Sequence, residues 1–197
     1  MEKLIFASNN QHKAEEIKAI LGNSFAIKTL KEVGINIDIP EPHDTLEKNA
    51  TEKSFVVYKL TKMDCFSEDT GLEVDTLNGE PGVRSARYAD DELLKNNIDK
   101  LLNNLKNKPD RSAQFRTVIS LILKGEEYKF EGVCKGIIIA TQRGEMGFGY
   151  DSVFIPGGSD KTFAEMDMDE KNTYSHRRKA IEKLVEFLKQ INKGKKY

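Results

Sequence analysis

A short apolar strand runs almost directly into a helix at the start of the chain, and this junction limits the folds that the sequence can adopt. An apolar run ends at Phe6, a polar turn follows, and apolar residues then recur at helical spacing from Ala14 to Leu21. The pattern predicts three elements in order: a strand over Lys3–Ala7, a helix over Gln11–Leu21 and a short strand over Ala26–Thr29. This β-α-β order is typical of a sheet with helices packed on it.

Two long runs of alternating apolar and polar residues follow later in the chain. They cover Ala113–Lys124 and Tyr128–Ala140, and the residues between them, Gly125-Glu126-Glu127, indicate a β-hairpin. The other predicted elements are a helix over Thr45–Thr61, strands over Cys65–Glu68 and Leu72–Val74, a helix over Glu92–Leu105 and a closing helix that Ser175 can cap. The β-α-β start combined with an antiparallel hairpin predicts an α/β fold with a mixed central sheet.

Length, charge and cysteine content narrow the class of protein. The chain has 197 residues, which suits one domain with a substantial core, so we expect one folding unit over residues 1–197. Its 31 basic and 32 acidic residues leave a net charge of −1, which gives no general attraction to nucleic acid or to an anionic membrane. Cys65 and Cys134 do not form a CxxC pair, so we expect two buried, reduced thiols, as suits a cytoplasmic protein. No apolar run is long enough to span a bilayer, so we expect no membrane partner.

The polar turn between the first strand and the first helix has the chemistry of an anion site. Free backbone N–H groups at a helix N-terminus point outward, and the helix dipole adds positive potential behind them. Lys13 brings a full charge one turn into the helix. The turn therefore provides candidate phosphate ligands, namely Ser8, Asn9, Asn10 and Lys13. Ser and Asn also cap most helices for purely structural reasons, and this alternative applies to the turn when it is taken alone.

Three later segments combine polar side chains with glycine-rich or helix-start contexts. They are Glu68–Gly71, Gly147–Asp151 and Lys171–Arg177. Along the chain the motifs occur in the order SNNxxK, ExxxxxxxNA, EDTGLxVDxLxGxPGVxSARY, GFGYDxxF, FAEM and EKNxxSHRxxA. By this order and spacing, the sequence from Lys3 to about Leu188 resembles the inosine triphosphate pyrophosphatase family.

The resemblance implies a fold, a substrate and a reaction. Members of this family hydrolyse non-standard purine nucleoside triphosphates, such as ITP, dITP and XTP, to the monophosphate and pyrophosphate, which cleanses the nucleotide pool. The implied fold is an elongated central mixed β-sheet with flanking helices and two lobes around a substrate cleft. The implied cofactor is Mg²⁺, and the implied assembly is a homodimer.

Two acidic positions are the expected Mg²⁺ ligands under this resemblance. Glu68 and Asp69 are adjacent at the end of a predicted strand, where neighbouring side chains point opposite ways, so only one of them can face the cleft. Asp69 matches the family's catalytic aspartate and is expected to bind the metal and to orient or deprotonate the attacking water. Glu41 matches a second acidic position, although its flanking prolines alone would indicate only a stiffened, exposed turn.

Further matched positions are expected to hold the triphosphate. Lys53 lies on the same helix face as Asn49 and adds positive charge. Thr70 precedes Gly71, and a threonine at such a place is also typical of ordinary turn chemistry. The positions expected to bind the triphosphate are Ser8, Asn9, Asn10, Gln11, His12, Lys13, Lys53 and Thr70.

A second group of matched positions is expected to hold the purine base. Phe148, Gly149 and Tyr150 combine aromatic faces with a turn that allows close approach, although core aromatics are the ordinary expectation at such a place. The positions that the resemblance adds to this pocket are Asp151, Lys171, His176 and Arg177. The last two can donate to O6 and N7 of a 6-oxo purine, whereas the 6-amino group of adenine would mispair with them.

Two positions depart from the common pattern of the family. Lys48 stands where many relatives have Glu, so we expect no two-metal site. Met146 stands where many relatives have Gly, next to the turn that is expected to bind the base.

Two other functions stay open at this point. A Maf-type nucleotide pyrophosphatase that acts on modified pyrimidine triphosphates would share the reaction, but the SHR and GFGYD segments argue against it. A nucleotide-binding sensor without turnover would gain little from Asp69 and Glu41, and the presence of both argues for an enzyme.

Overall fold

The structure is a computed structural model that describes residues 3–21, 26–89 and 96–194. Its strands are β1 Lys3–Phe6, β2 Ala26–Thr29, β3 Cys65–Val74, β4 Pro81–Gly82, β5 Ser112–Leu123, β6 Glu126–Ile138 and β7 Phe154–Pro156. The α-helices of the described ranges are α1 Gln11–Leu21, α2 Leu46–Thr61, α3 Asn97–Asn104, α4 Met168–Tyr174 and α5 His176–Gly194.

All the strands belong to one seven-stranded sheet in the order β2-β1-β3-β5-β6-β7, with β4 paired to β3. Strand β1 is parallel to both β2 and β3, whereas β3 and β4, and β6 and β7, are antiparallel pairs. Strands β5 and β6 are neighbours, which confirms the predicted hairpin, but the turn is Lys124-Gly125, since Glu126 and Glu127 already belong to β6. The sheet is therefore mixed, and the predicted α/β class is confirmed.

The chain divides into two compact units. Unit 1 comprises Met1–Asp69, Thr117–Gly132 and Arg177–Tyr197, and unit 2 comprises Thr70–Arg116 and Val133–His176. Strands β3, β5 and β6 contribute residues to both units. The single folding unit over residues 1–197 stays a prediction, as does the substrate cleft.

Helices cover both faces of the sheet in unit 1, which explains why residues Leu4, Ile5 and Phe6 of strand β1 are all apolar. Successive side chains of a strand point to opposite faces. Leu4 and Phe6 lie in the core cluster that contains α1 and α5, while Ile5 lies in the cluster that contains Val57 of α2. A strand with both faces buried has no solvent-facing position, so it reads as a continuous apolar run.

Unit 2 has a core of its own that is rich in aromatic side chains. Phe115 of β5 lies at its centre, with its ring centroid 4.7 Å from that of Phe154 and 6.0 Å from that of Phe163. Leu101 and Leu105, from α3 and the residue after it, are buried in the same cluster. This core supports the loops that carry the polar residues of unit 2.

The first elements of the chain match the sequence-based expectations closely. Helix α1 and strand β2 have the predicted bounds. Helix α2 begins one residue later than predicted, because Thr45 is its N-cap and its side chain accepts a hydrogen bond from the backbone N–H of Lys48. Both cysteines are buried free thiols, as expected, and burial raises the pKa of Cys65 to about 12.

Strand β3 differs from expectation, because it is one strand of ten residues and not two short ones. It continues past Asp69 because its second half pairs with β4, where Leu72 lies opposite Gly82. A Cβ atom on Gly71 would lie 2.6 Å from the carbonyl oxygen of Gly82, so glycine here allows close strand approach rather than a turn. The predicted break between two strands at residues 69–71 is therefore wrong.

Two helices also differ from the predicted pattern. The helix predicted over Glu92–Leu105 is found as α3, and residues 92–95 of that prediction lie outside the described residues. Helix α4 was not predicted, since its seven residues are too few to show a periodic apolar face. Its N-cap, Asp167, accepts a hydrogen bond from the backbone N–H of Glu170 at 2.8 Å.

Candidate active site

The acidic pair on β3 is divided between the two faces of the strand. Cys65 lies in the core cluster of α2, and Phe66 lies in the core cluster of α1 and α5. The alternation continues, so that Asp69 contacts α2 while Glu68 contacts Lys13 of α1. The two carboxylates therefore enter separate networks in unit 1, as the sequence predicts, although both are buried.

Asp69 is held by two side chains from one face of α2. Lys53 Nζ donates to Asp69 Oδ1 at 3.0 Å, and Asn49 Nδ2 donates to Asp69 Oδ2 at 3.3 Å. Asn49 and Lys53 are four residues apart, so the helix presents both to the same carboxylate. The shared helix face predicted from their spacing is present.

Lys53 also binds Glu41, which brings two carboxylates to one ammonium group. The distance from Lys53 Nζ to Glu41 Oε1 is 2.5 Å. The three side chains carry one net negative charge in a largely buried place. Burial raises the pKa of Asp69, and the charge of Glu41 raises it further, so the Lys53 ammonium does not restore its ordinary value. Burial opposes the charged form of Lys53, but the charges of Asp69 and Glu41 outweigh it and raise its pKa.

Asn49 additionally fixes the loop that leads from Glu41 into α2. Its side-chain oxygen accepts from the backbone N–H of His43 at 2.9 Å, and its Nδ2 donates to the His43 carbonyl at 3.2 Å. One buried amide thus connects the loop, the helix and Asp69. The sequence motif contains this asparagine, but only the structure reveals that it orients the carboxylate.

A chain of hydroxyl groups anchors the rest of α2 to the hairpin of unit 1. Ser54 Oγ lies 2.7 Å from Ser120 Oγ, and Ser120 Oγ donates to Glu127 Oε1 at 2.8 Å. Thr51 Oγ1 donates to the same Glu127 oxygen at 2.5 Å. On strand β3, Ser67 Oγ donates to the Ala50 carbonyl at 2.5 Å. Helix α2 is therefore fixed by polar contacts to three different parts of the unit.

Glu68 belongs to a second buried network that includes Lys13. Lys13 Nζ lies 2.9 Å from Glu68 Oε1, and Arg177 binds both Glu68 oxygens, from Nε at 2.8 Å and from Nη2 at 3.2 Å. Arg177 Nη1 also donates to Glu16. Burial would raise the pKa of Glu68, but the charges of Arg177 and Lys13 outweigh it and hold that pKa well below its usual range.

The turn before α1 has the geometry of a helix cap with Lys13 beside it. Asn10 Oδ1 accepts from the backbone N–H of Lys13 at 3.0 Å, and Ser8 Oγ accepts from the backbone N–H of Asn10 at 3.1 Å. Asn9 Nδ2 donates to the Ile37 carbonyl at 2.7 Å. These side chains support the turn itself, so phosphate binding by the turn stays a prediction that depends on its backbone and on Lys13.

The other positions expected to bind the triphosphate are Gln11, His12 and Thr70. Gln11 Nε2 donates to Glu15 Oε1 at 2.8 Å on the exposed face of α1, and His12 follows it as an exposed residue. Thr70 lies within β3 as the first residue of unit 2. Lys48, which replaces the glutamate of many relatives, forms an exposed ion pair with Asp44 at 3.1 Å.

Unit 2 contains a second buried lysine–carboxylate pair, placed among aromatic rings. Lys171 Nζ lies 2.7 Å from Asp151 Oδ2. The same ammonium lies 5.4 Å from the ring centroid of Phe148 and 5.4 Å from that of Phe163. These distances are within the range of cation–π attraction, so the rings and the carboxylate together hold the ammonium in place.

The glycine-rich loop is shaped around Asp151. Asp151 Oδ2 accepts from the backbone N–H of Phe148 at 2.9 Å, and Gly147 has a φ of 76°. A Cβ atom on Gly147 would lie 2.1 Å from that same Oδ2 atom. Gly149, with a φ of 62°, would meet nothing within 4 Å. Only the first of these glycines is therefore required by close packing. Met146 precedes the loop and is 49% exposed.

The three other side chains predicted to bind the base are Tyr150, His176 and Arg177. Tyr150 is buried in the core of unit 2, where its hydroxyl donates to the Ser85 carbonyl at 2.9 Å, and its stacking on a base stays a prediction. His176 is stacked on Phe115, with ring centroids 4.8 Å apart. Arg177 donates to Glu68 and Glu16 in unit 1, as described above. Base contacts by His176 and Arg177 stay predictions.

The residues around Asp69 fit a Mg²⁺ ion by their donor chemistry. Mg²⁺ commonly binds through one or two carboxylates together with water and substrate phosphates. Asp69 and Glu41 supply two carboxylates whose charge exceeds that of the lysine between them. A group of three or more His, Cys, Asp or Glu residues that could hold a metal does not occur in residues 3–21, 26–89 and 96–194.

Comparison with known proteins identifies the family of the chain. Residues 4–187 match the model of the Ham1 family. The chain belongs to the Ham1 family. A relative from Flavobacterium johnsoniae named dITP/XTP pyrophosphatase is 50% identical to this Ham1-family chain over 187 residues, covering 94% of this chain and 97% of the relative. A Bacillus subtilis protein of the same name is 42% identical over 196 residues, covering 95% of this chain and 98% of that protein.

The fold agrees with solved structures of Ham1 proteins. The Staphylococcus aureus Ham1 protein superimposes with a TM-score of 0.84 and 40% identity, covering 96% of this chain and 99% of that one. These matches confirm the family resemblance predicted from the motifs, and neither the Maf-type reading nor the sensor reading receives support from them. Among the described residues, no helix is both long and apolar enough to cross a membrane.

Proposed function

We propose that this Ham1-family chain hydrolyses ITP, dITP and XTP to the corresponding monophosphate and pyrophosphate. The relatives named dITP/XTP pyrophosphatase support the substrate class, since they match over nearly the whole chain. The observation that carries the proposal is the cluster in which Lys53 joins Glu41 to Asp69 and leaves one carboxylate charge unmatched. Such a site suits a reaction that needs a divalent cation and a positioned water.

Unit 1 is assigned the phosphate chemistry. A water molecule attacks the α-phosphorus, the bond to the oxygen that bridges the α- and β-phosphates breaks, and pyrophosphate leaves. We assign Asp69 the role of orienting this water and accepting its proton, since its carboxylate belongs to the cluster that contains Lys53 and Glu41. Lys13 is assigned to the triphosphate, because its ammonium lies at the first turn of α1 beside the phosphate turn.

Asp69 and Glu41 are the residues that would hold Mg²⁺. When bound, this ion would neutralise phosphate charge and polarise the phosphoryl oxygens. Lys53 keeps the two carboxylates close together, and Asn49 fixes the second oxygen of Asp69. Preorganisation of this kind lowers the reorganisation needed when substrate arrives.

Unit 2 is assigned to the purine base. Phe148 is partly exposed and offers a ring on which a base can stack. Lys171 lies next to this ring, and its ammonium carries hydrogen-bond donors only, so it suits the O6 acceptor of a 6-oxo purine and not the 6-amino group of adenine. Asp151 holds Lys171 in place and shapes the glycine loop.

The proposal also covers the localisation and the assembly of the protein. We place the protein in the cytoplasm, supported by its two buried free cysteines, which suit a reducing compartment. We also assign it a homodimeric state, supported by the family resemblance of its motifs. Sedimentation equilibrium of the purified chain measures the latter directly.

Pyrophosphate release across a panel of nucleotides tests the proposal. ITP, dITP, XTP, GTP, ATP and a modified pyrimidine triphosphate are each assayed with Mg²⁺ and with excess EDTA. We expect turnover of ITP, dITP and XTP to exceed that of ATP by about tenfold or more, and no turnover in EDTA. Binding without turnover would point to a sensor, and a preference for the pyrimidine would point to the Maf-type activity; either result contradicts the proposal.

A further inference from the structure

Three buried charged residues and the partly buried Lys13 form a continuous network of ion pairs in unit 1. Glu16 on α1 accepts from Arg177 at the start of α5, Arg177 binds both oxygens of Glu68, and Glu68 pairs with Lys13 at 2.9 Å. Glu16 and Lys13 are three residues apart on the same helix, so the network of ion pairs begins and ends on α1. The closed arrangement fixes the position of each member through its neighbours.

Burial and charge make this network a poor device for stability alone. Glu16, Glu68 and Arg177 are 5%, 1% and 2% exposed, so all three have lost most of their hydration. The two acidic and two basic groups balance in charge, but the cost of removing such groups from water often cancels their mutual attraction. Apolar side chains of similar size often replace such networks without loss of stability, so the property particular to the charged network is its geometry.

The geometry is concentrated on one ammonium group. Arg177 grips Glu68 through two parallel contacts, the arrangement that sets the orientation of a carboxylate most firmly. Glu68 then fixes Lys13 Nζ, whose side chain is the most exposed of the four at 16%. The buried residues Glu16, Arg177 and Glu68 therefore fix the position of Lys13, whose side chain has the most access to solvent.

We infer that Glu16 is a positioning residue that places the Lys13 ammonium for the triphosphate by orienting Arg177 and Glu68. This inference rests on the proposed function, because it takes Lys13 as a triphosphate ligand. It assigns Glu16, which the sequence motifs do not single out, and it gives Arg177 a role in unit 1 that differs from the predicted contact with the base.

A double-mutant cycle tests the inference. Glu16→Gln keeps the shape of the side chain and removes its charge, and Lys13→Met keeps the stem of Lys13 and removes its ammonium. We expect Glu16→Gln to lower kcat/KM for ITP roughly five- to thirtyfold in the wild-type background and by less than about twofold in the Lys13→Met background. Equal losses in both backgrounds would show that Glu16 does not act through Lys13 and would overturn the inference.

A matched control separates positioning from charge and from folding. Glu186→Gln removes the same charge from an exposed site on α5 and should leave kcat/KM within about twofold. Thermal unfolding of each variant is recorded in parallel. A Glu16→Gln variant with a lowered Tm but unchanged kcat/KM would assign Glu16 a structural role only, against the inference. If that variant does not fold, Glu16→Asp, which keeps the charge and shortens the reach, enters the same cycle.

A binding measurement keeps this test independent of turnover. Titration calorimetry with inorganic tripolyphosphate measures the affinity of the wild type, the two single variants and the double variant without any hydrolysis of a nucleotide. Should the wild type turn over no purine triphosphate, the proposed function fails, while the cycle in tripolyphosphate affinity still decides the role of Glu16. Non-additive losses of affinity support positioning through Lys13, and additive losses refute it.

Discussion

The two sites contain the same ion pair in different surroundings. In unit 1, Lys53 Nζ lies 3.0 Å from Asp69, and in unit 2, Lys171 Nζ lies 2.7 Å from Asp151. The third neighbour distinguishes them, because Lys53 also meets the carboxylate of Glu41 whereas Lys171 meets the ring of Phe148. A second carboxylate leaves negative charge that attracts a cation, while an aromatic ring leaves a flat surface that suits a base.

The comparison predicts that substitutions in unit 1 change the rate with every substrate, whereas substitutions in unit 2 change how well purines are bound. The largest effect is expected for Asp69→Asn. Loss of the carboxylate should lower kcat by about 10²- to 10⁴-fold for ITP, XTP and ATP alike, because water activation and metal binding do not depend on the base. Steady-state pyrophosphate release measures this.

The matched control for that substitution is Asp38→Asn, which removes the same charge from an exposed position of unit 1. It should leave kcat within about twofold. If Asp69→Asn changed the ratio of ITP to ATP turnover instead of both rates, the separation between the two units would be wrong.

A smaller loss is expected for Gly147→Ala in unit 2. The new methyl group would lie 2.1 Å from Asp151 Oδ2, so the loop or the carboxylate must move. We expect kcat/KM for ITP to fall by on the order of 10²-fold, the scale of a small misplacement in a binding site, with kcat affected less. Gly158→Ala carries the same left-handed backbone cost, at a φ of 90°, with nothing within 4 Å of the added atom. Similar losses of kcat/KM in both variants would assign the effect to backbone strain and not to Asp151.

Phe148→Ala should have a more modest effect that is shared by all purines. Stacking on an aromatic ring contributes about 1 to 3 kcal/mol per base, so kcat/KM should fall roughly tenfold for ITP and for ATP. The measurement is kcat/KM for both nucleotides with the purified variant. A loss confined to ITP would mean that this ring reads the exocyclic group and does not simply support the base.

The smallest effect concerns stability, and its sign differs between the two ion pairs. The pKa of Asp69 is raised in the folded state, so above that pKa its charged form lowers the free energy of unfolding. This destabilisation disappears as the pH falls from the raised pKa toward the ordinary pKa of an aspartate. Asp69→Asn should therefore raise Tm at pH 8 by about 2 to 4 °C, the shift that corresponds to about 1 kcal/mol, and by less at pH 5.

Asp151→Asn provides the contrast, since it removes the carboxylate beside the buried ammonium of Lys171. This variant should lower Tm at both pH values. Calorimetric scans of the two variants at pH 5 and pH 8 decide the point. A lower Tm for Asp69→Asn at pH 8 would contradict this prediction. It would show that the attraction between Lys53 and the Asp69 carboxylate exceeds the cost of burying that carboxylate.

Local patterns predicted much of the fold because strands and helices of unit 1 are bounded by clear signals. Helix α1 has its apolar spacing and an Asn10 cap, and the hairpin has its Gly125 turn. The continuation of β3 through Thr70 was missed, because it depends on pairing with β4 and residues 69–71 carry no local pattern that predicts it.

The motifs identified residues that the structure joins in ion pairs, but they did not identify every partner. The motifs led to Asp69, Glu41, Lys53 and Lys171, and the structure brings each of these into an ion pair. Arg177 shows where such reasoning ends. Its carboxylate partners lie 109 and 161 residues away in the sequence, so spacing cannot identify them. Tyr150 shows the same limit, because aromatic residues in glycine loops and in cores look alike until their burial is known.

Helix α2 is fixed along its axis as well as around it, and this sets the accuracy of the site that it carries. Its hydroxyl contacts to Glu127 and Ser120 lie on one side, and its contacts to Asp69 lie on another. A slide of one residue would move the helix by about 1.5 Å and would break both sets at once. Ligand-free and ligand-bound crystals should therefore show the same helix register, so that any adjustment to substrate occurs in the side chains.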